Sequence, residues 1–424
     1  MALLLLTGCD SMITDETDPT DKTIRGDHVS METLDWIKSY PDDRMAGLIT
    51  IGEEGSLYTA TSLHTGYNSP TMKVFKTSST GSEIWSRRIT LDIGEDTSLS
   101  LSFGSDMKVD QKGNLLIVGT SMDIARTKGD DGKTHITYLP QTHKAVFVKL
   151  NHEGEKLWEY TYGGGEIESF GKAVERDSDG NYYICGVEAG NDYHKRTFIV
   201  KLTTDGSEEF VTHYPLGGDS ISKNSIIISG GYLYILGNTS HTVVDGKLRR
   251  QAQEIGIIKA TRDGDPIWTK NYEGGNFDFR LAGFVQDHHH NLVIAATRVG
   301  IVSNDHDAQM YILKTTPEGK TLWAKTFGAG PSESALDIAV DSKDNIFVSG
   351  WTRGAFPGYT NEHARDPFLV KLSADGTILK SAQFAAKEGS SGNGVIVDDT
   401  DRVYLSGFGK LEGQNHYSFL IKYK

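Results

Sequence analysis

Two cysteines, Cys9 and Cys185, are all that this 424-residue sequence contains, and prolines number only ten. Two cysteines exclude a disulfide framework as the source of stability. Long apolar runs are missing too: no stretch approaches the ~20 apolar residues that a membrane-spanning helix needs. Apolar residues nowhere recur at helical spacing over a long segment. Basic residues are outnumbered, 43 against 57 acidic ones, for a formal net charge of −14. This balance repels a phosphate backbone and no basic stripe offsets it locally, so nucleic acid is not an expected partner. The sequence carries no phosphate loop, nucleophile elbow or HExxH motif.

Glycine, in contrast, is abundant at 47. Short runs of aromatic and β-branched residues alternate with Gly, Asp and Asn, which is the punctuation of many short strands joined by tight turns. The strands belong to a unit of about 50–70 residues that recurs along the chain. One copy runs from Ala335 to Ala385: Leu336 to Asp341, a turn, Asn345 to Gly350, a long loop, Phe368 to Leu372, a turn at Asp375-Gly376, then Thr377 to Lys380. That makes four strands. A lysine holds the same place in the third strand of every copy: Lys76, Lys149, Lys201, Lys259, Lys314, Lys371 and Lys422. A glycine follows the first six at a spacing of five (Gly81, Gly154, Gly206, Gly264, Gly319, Gly376), where a tight hairpin needs positive φ. Four residues later stand Trp85, Trp158, Phe210, Trp268 and Trp323, with Lys380 breaking the series. Aromatics at one fixed place in a repeat read as packing knobs between neighbouring sheets.

The seventh copy stops after Lys422, without its last hairpin and fourth strand. Thr33-Leu34-Asp35-Trp36-Ile37-Lys38-Ser39-Tyr40 reads like Thr321-Leu322-Trp323-Ala324-Lys325-Thr326-Phe327 and stands just before the first strand of copy one. The expected architecture is therefore all-β: a seven-bladed β-propeller of four-stranded blades, spanning 32–424 and closed by the N-terminal strand pairing in the last blade. Closure hides two otherwise open sheet edges. The stretch from Ser334 to Thr352, with Phe356-Pro357 downstream, resembles the SBBP-type β-propeller repeat of bacterial secreted proteins and lipoproteins, and weaker copies cover 33 to 424. The resemblance implies fold and compartment, and little about activity.

Leu6-Thr7-Gly8-Cys9 resembles the lipobox of bacterial lipoproteins. It implies a signal peptide over 1–8, a lipidated Cys9, and a polar, acidic tether over 9–31 that has almost nothing to bury. The implied setting is an outer-membrane lipoprotein, periplasmic or surface-exposed, bound to the membrane by its lipid and expected to be a monomer. Function is then expected on the face of the ring where the second-to-third loops vary in length. Its candidate contact residues are Arg126, His135, Tyr138 and His143 in the loop 121–144, and Trp351, Arg353, Tyr359 and His363 in or beside the loop 352–366. Acidic residues at the blade crossings (Asp42, Asp43, Glu95, Asp96, Glu166, Glu168, Asp219, Asp278, Glu333) point toward the channel mouth and read as solubilising charge, with a cation or polyol site as the alternative. His288-His289-His290 occupies a turn, where consecutive residues do not easily converge on one ion; no metal and no cofactor is expected.

These readings lead to a non-enzymatic binding or scaffold module for a glycan or protein. The alternative is a polysaccharide lyase or hydrolase using His135, His143 or His363 with a neighbouring carboxylate. A further alternative rests on Gly319-Lys320-Thr321-Leu322-Trp323, which is similar to the tryptophan motif of quinoprotein-like envelope assembly factors, although those rings typically have eight blades.

Overall fold

The computed structural model describes residues 34–423 apart from the segments 42–43, 64–70, 90–96, 101–105, 129–133, 140–141, 165–166, 190–194, 218–222, 246–247, 273, 302–307, 331, 362–364, 385–389 and 411–415. Seven antiparallel sheets follow one another around a ring. Blades one to six open with the strands Arg44–Ile51, Asp106–Val109, Glu168–Arg176, Ile226–Ser229, Phe277–Gln286 and Glu333–Val340. Blade seven takes Ser391–Val397, Val403–Lys410 and His416–Tyr423 from one end of the chain and Leu34–Pro41 from the other. The register runs from Leu34 opposite Tyr423 to Pro41 opposite Tyr417, so the ring closes as the repeat count requires. Among the described residues, helix is limited to one short 3-10 turn, Glu53–Gly55.

Side chains alternate across a strand, so a sheet pressed between two others must be apolar on both faces. The second strands show it. Leu115 and Ile117 pack with blade one, while Leu116 and Val118 pack with blade three. Tyr182 and Ile184 face blade two, and Tyr183 and Cys185 face blade four. The main apolar cores of the described residues number seven, and each is shared by two neighbouring blades. Cys185 is one of these core residues, its thiol pushed up to about 12 by burial.

The repeated lysine and aromatic stand directly opposite one another, as Lys76 with Trp85, Lys314 with Trp323 and, across the ring seam, Lys422 with Trp36. In these three pairs both donate to a single carbonyl in the next blade's last hairpin. Trp85 Nε1 and Lys76 Nζ reach His152 O at 3.0 and 3.4 Å. Trp323 and Lys314 reach Ala374 O at 3.2 and 3.1 Å. Trp36 and Lys422 reach Ser79 O at 3.3 and 3.0 Å. The closing strand thus supplies blade seven with the knob that its C-terminal portion lacks.

The first hairpins are Asx turns, as their spacing predicts. Asp110 Oδ1 accepts from Lys112 N and Asn114 N at 2.8 and 2.9 Å, and Asn114 Nδ2 donates to Oδ2 at 2.9 Å. Asp177, Asp287 and Asp341 repeat the pattern. Three of these aspartates also receive the third-strand lysine, Lys149 at 3.2 Å, Lys314 at 2.8 Å and Lys371 at 3.2 Å.

Candidate functional site

The face opposite those hairpins carries the variable connections. The connection 121–144, expected as a loop, is in large part a projecting hairpin: Leu115–Lys128 runs past the blade and pairs with Thr134–Tyr138. Continued pairing satisfies backbone groups that a free loop would leave to water. Arg126, His135 and Tyr138 sit in this hairpin, opposite Ile136, Thr127 and Ile124, and their side chains lie outside the described ones. Blade four projects a second long hairpin, Tyr232–Asp245 paired with Leu248–Thr261, which packs through Val243 and Ala252 on Ile301.

His143 lies at the seam between blades two and three. Its Nδ1 is 2.6 Å from Glu168 Oε1 and its ring sits 4.7 Å from that of Phe170. At the same seam, the buried Glu188 collects three partners: Tyr162 Oη at 2.9 Å, His213 Nε2 at 3.2 Å and Arg196 Nη2 at 2.8 Å. Burial, then the hydrogen bond to Glu188, pushes the Tyr162 hydroxyl well above its usual range, so it stays protonated. A protonated phenol, an imidazole and a guanidinium are thereby grouped around one carboxylate.

The blade-six loop is pinned from inside. Phe356 is buried against Phe368, the Tyr359 hydroxyl donates to Ser381 O at 2.9 Å, and Gln383 bonds Phe356 N, Gly354 O and Asp366. Tyr359 therefore anchors the loop. What the loop displays is Trp351 between two arginines, with Arg365 Cζ 4.2 Å and Arg353 Cζ 6.0 Å from its ring centroid. Among the described residues neither guanidinium has a carboxylate partner. Burial and then the charge of Arg353 hold Arg365 below its usual range, as two uncompensated cations would. His363 lies outside the described residues. Blades two and six are not neighbours in the ring, so the residues predicted for this face form two separate places.

The acidic crossing residues also do not form one ring. Glu168 is taken by His143, Asp278 accepts Gln253 N at 2.8 Å, and Glu333 is buried, accepting Ala329 N and the Thr352 hydroxyl. Asp42, Asp43, Glu95, Asp96, Glu166 and Asp219 lie outside the described residues.

The charges that do face the axis were not singled out from the sequence. A cavity of about 390 Å³ follows the axis, walled by the first strands, and contains Asp106, Lys108, Glu175, Lys223 and Asp337. Asp106 and Asp337 occupy one repeat position, four residues before the turn aspartate, where other copies carry Ala173, Gly283 and Gly394. Each ties its blade to the next, accepting Val174 N at 3.2 Å and Val395 N at 2.9 Å. Lys223 reaches from blade four to Asp337 at 3.0 Å and to the carbonyl of Asn393. Lys108 lies 3.5 Å from Glu175. Burial pushes the Asp106 carboxyl up to about 6, against the pull of Lys108 and two backbone N–H groups. The legible signal was the departure of two copies from small or apolar residues at that position.

No family model and no curated protein matches this sequence. Solved structures do. An ulvan lyase of polysaccharide lyase family PL25, bound to -[GlcA(1-4)Rha3S]-, aligns with 90% of this chain and 95% of its own at 10% identity and a TM-score of 0.57. The polysaccharide lyase Uly1 covers 92% of this chain and 99% of its own at 9% identity and a TM-score of 0.49. A protein of unknown function from Dyadobacter fermentans covers 78% and 96% at 11% identity and a TM-score of 0.49. The likeness to the ulvan lyase is one of fold: this chain is a seven-bladed β-propeller with propeller-type neighbours.

Proposed function

We propose that the protein is a binding module for an acidic glycan, tethered to the outer membrane through lipidated Cys9. The observation that carries the ligand class is the pair of guanidiniums flanking Trp351 without a carboxylate partner among the described residues, on a loop held rigid by Phe356, Tyr359 and Gln383. Arginine grips carboxylate or sulfate with two parallel hydrogen bonds, and the Trp351 indole holds the two guanidiniums in place to do so. A rigid loop also lowers the ordering cost of binding. The lipobox-like Leu6-Thr7-Gly8-Cys9 supports the tether.

The test uses the Cys9→Ser chain on an array of acidic and neutral glycans, followed by titration of the best binder. Acidic glycans should be retained, binding should weaken with added salt, and Arg353→Ala or Arg365→Ala should lower affinity about tenfold or more. Equal retention of neutral glycans, or unchanged affinity in both variants, rejects the ligand class. The same Cys9→Ser chain should leave the membrane fraction; if it stays there, the tether is wrong.

A second reading, a lyase, is favoured by the group around Glu188 and by the ulvan lyase's own acidic saccharide. Elimination beside a uronate needs a cation near the carboxylate, a base for the adjacent C–H and an acid for the leaving oxygen; Arg196, His213 and the protonated Tyr162 are of those types. Ultraviolet absorbance of an unsaturated product, lost in Tyr162→Phe, would establish it. Its absence on every acidic polysaccharide bound would leave the binding module.

A further inference from the structure

The first hairpins are clipped to one another by a residue in the left-handed region. In blade seven this is Asp401, at φ 63°, whose carboxylate accepts Ser342 N at 2.8 Å and the Ser342 hydroxyl at 2.6 Å. Asp344 of blade six, at φ 60°, makes the same clip to blade five, accepting His288 N at 2.9 Å. That backbone bond completes the repeated architecture. Two imidazoles are then added to it: His288 Nδ1 lies 2.9 Å from Asp344 Oδ1, and His289 Nδ1 lies 2.8 Å from Oδ2. The consecutive histidines that the sequence alone would keep apart converge here, because the turn at Asp287 lays both rings over one carboxylate.

Nitrogen and oxygen donors bound to one first-row ion at about 2.0–2.2 Å stand roughly 2.8–3.5 Å apart, and both imidazole–carboxylate pairs fall in that range. One ligand atom each of Asp287, His289 and Asp344 also lies within 4.8 Å of the others. Asp287 also holds Lys314 at 2.8 Å and the Asn291 and His289 N–H groups, which fixes its carboxylate at the base of the turn. The two rings are 61% and 77% exposed, which leaves water to complete the coordination. Imidazole nitrogens favour zinc, nickel or copper over calcium and magnesium, which take oxygen ligands.

We propose that His289 and Asp344, with Asp287 at the base of the turn and His288 on the same carboxylate, form a site for a divalent transition-metal ion of the zinc type, clamping blade five to blade six. The test titrates the untagged full chain with Zn2+ by calorimetry and with Co2+ by visible absorption, with Ca2+ as control. One saturable equivalent of Zn2+ should bind, be removed by EDTA and raise the melting temperature. His289→Ala should weaken binding about tenfold or more, and His288→Ala/His289→Ala should abolish it. Asp344→Asn keeps an oxygen for the His288 N–H, so it separates loss of the ligand from loss of the clip; it should fold normally and bind weakly. Absence of a saturable equivalent, binding unchanged in the double variant, or Ca2+ binding as tightly as Zn2+ overturns the site.

Discussion

A glycine in each last hairpin meets two requirements together. Gly206 has φ 90°, and a Cβ there would stand 2.8 Å from the indole of Trp158 in the preceding blade. Gly154 and Gly376 face Trp85 and Trp323 in the same way. Gly206→Ala should therefore cost about 1–3 kcal/mol, combining left-handed strain with displacement of the knob, measurable by denaturant unfolding. The channel makes a second prediction at this scale. The Asp106 pKa of about 6 exceeds the ordinary 3.8, so the folded state holds this proton more tightly than the unfolded chain. The stabilisation is full below about pH 4 and is lost as pH rises through about 6. Asp106→Asn should then stabilise the protein by ~1–3 kcal/mol at pH 8 and leave it nearly unchanged near pH 4, as read from unfolding curves at the two pH values. Asp110, Asp287 and Asp398 work in the opposite sense: hydrogen bonds outweigh burial and hold them low, so their contribution is present above about pH 4 and fades below it.

At the scale of the element, the closing strand carries more than its ladder. Leu34–Pro41 gives blade seven an outer strand, places Trp36 against Gly81 of blade one, and donates to Ser79 O. Deleting 34–41 should expose the edge Phe419–Tyr423 and remove one inter-blade knob, with a lower melting temperature and edge-to-edge association visible by light scattering. An equally stable monomer would contradict the closure energetics. Among the knobs, Trp85→Ala removes an indole packed on Tyr58 and its bond to His152 O, and should cost about 2–4 kcal/mol in chemical unfolding. The projecting hairpins of blades two and four lie beyond this framework.

For the whole molecule, the decisive fact is that the main apolar cores lie between blades. A single blade has no interior of its own, because each of its faces is completed by a neighbour. The ring should therefore unfold in one transition, with tryptophan fluorescence and far-ultraviolet circular dichroism coinciding; a broad or stepwise transition would show that the blades are separable. Lys223 adds to this unity by crossing from blade four to Asp337 and Asn393 in blades six and seven.

What the sequence by itself determined was everything carried by local rules in a repeated frame. Asx turns, positive-φ glycines and opposed Lys and Trp residues each arise from positions a few residues apart, so a fixed spacing exposes them in most copies. Blade number and closure followed, since an incomplete seventh copy at one terminus and its missing strand at the other have one geometric solution. The sites were less legible. Trp351 and Arg353 were found together, but Tyr359 proved to be an anchor, His143 belonged to another seam, and Asp106, Asp337 and Lys223 were missed. Such contacts join residues far apart in the chain, His288 with Asp344 across 56 positions and Lys223 with Asn393 across 170. Only the tertiary structure decides them, because the curvature of the ring, and no local spacing, sets which side chains meet across a seam or an axis.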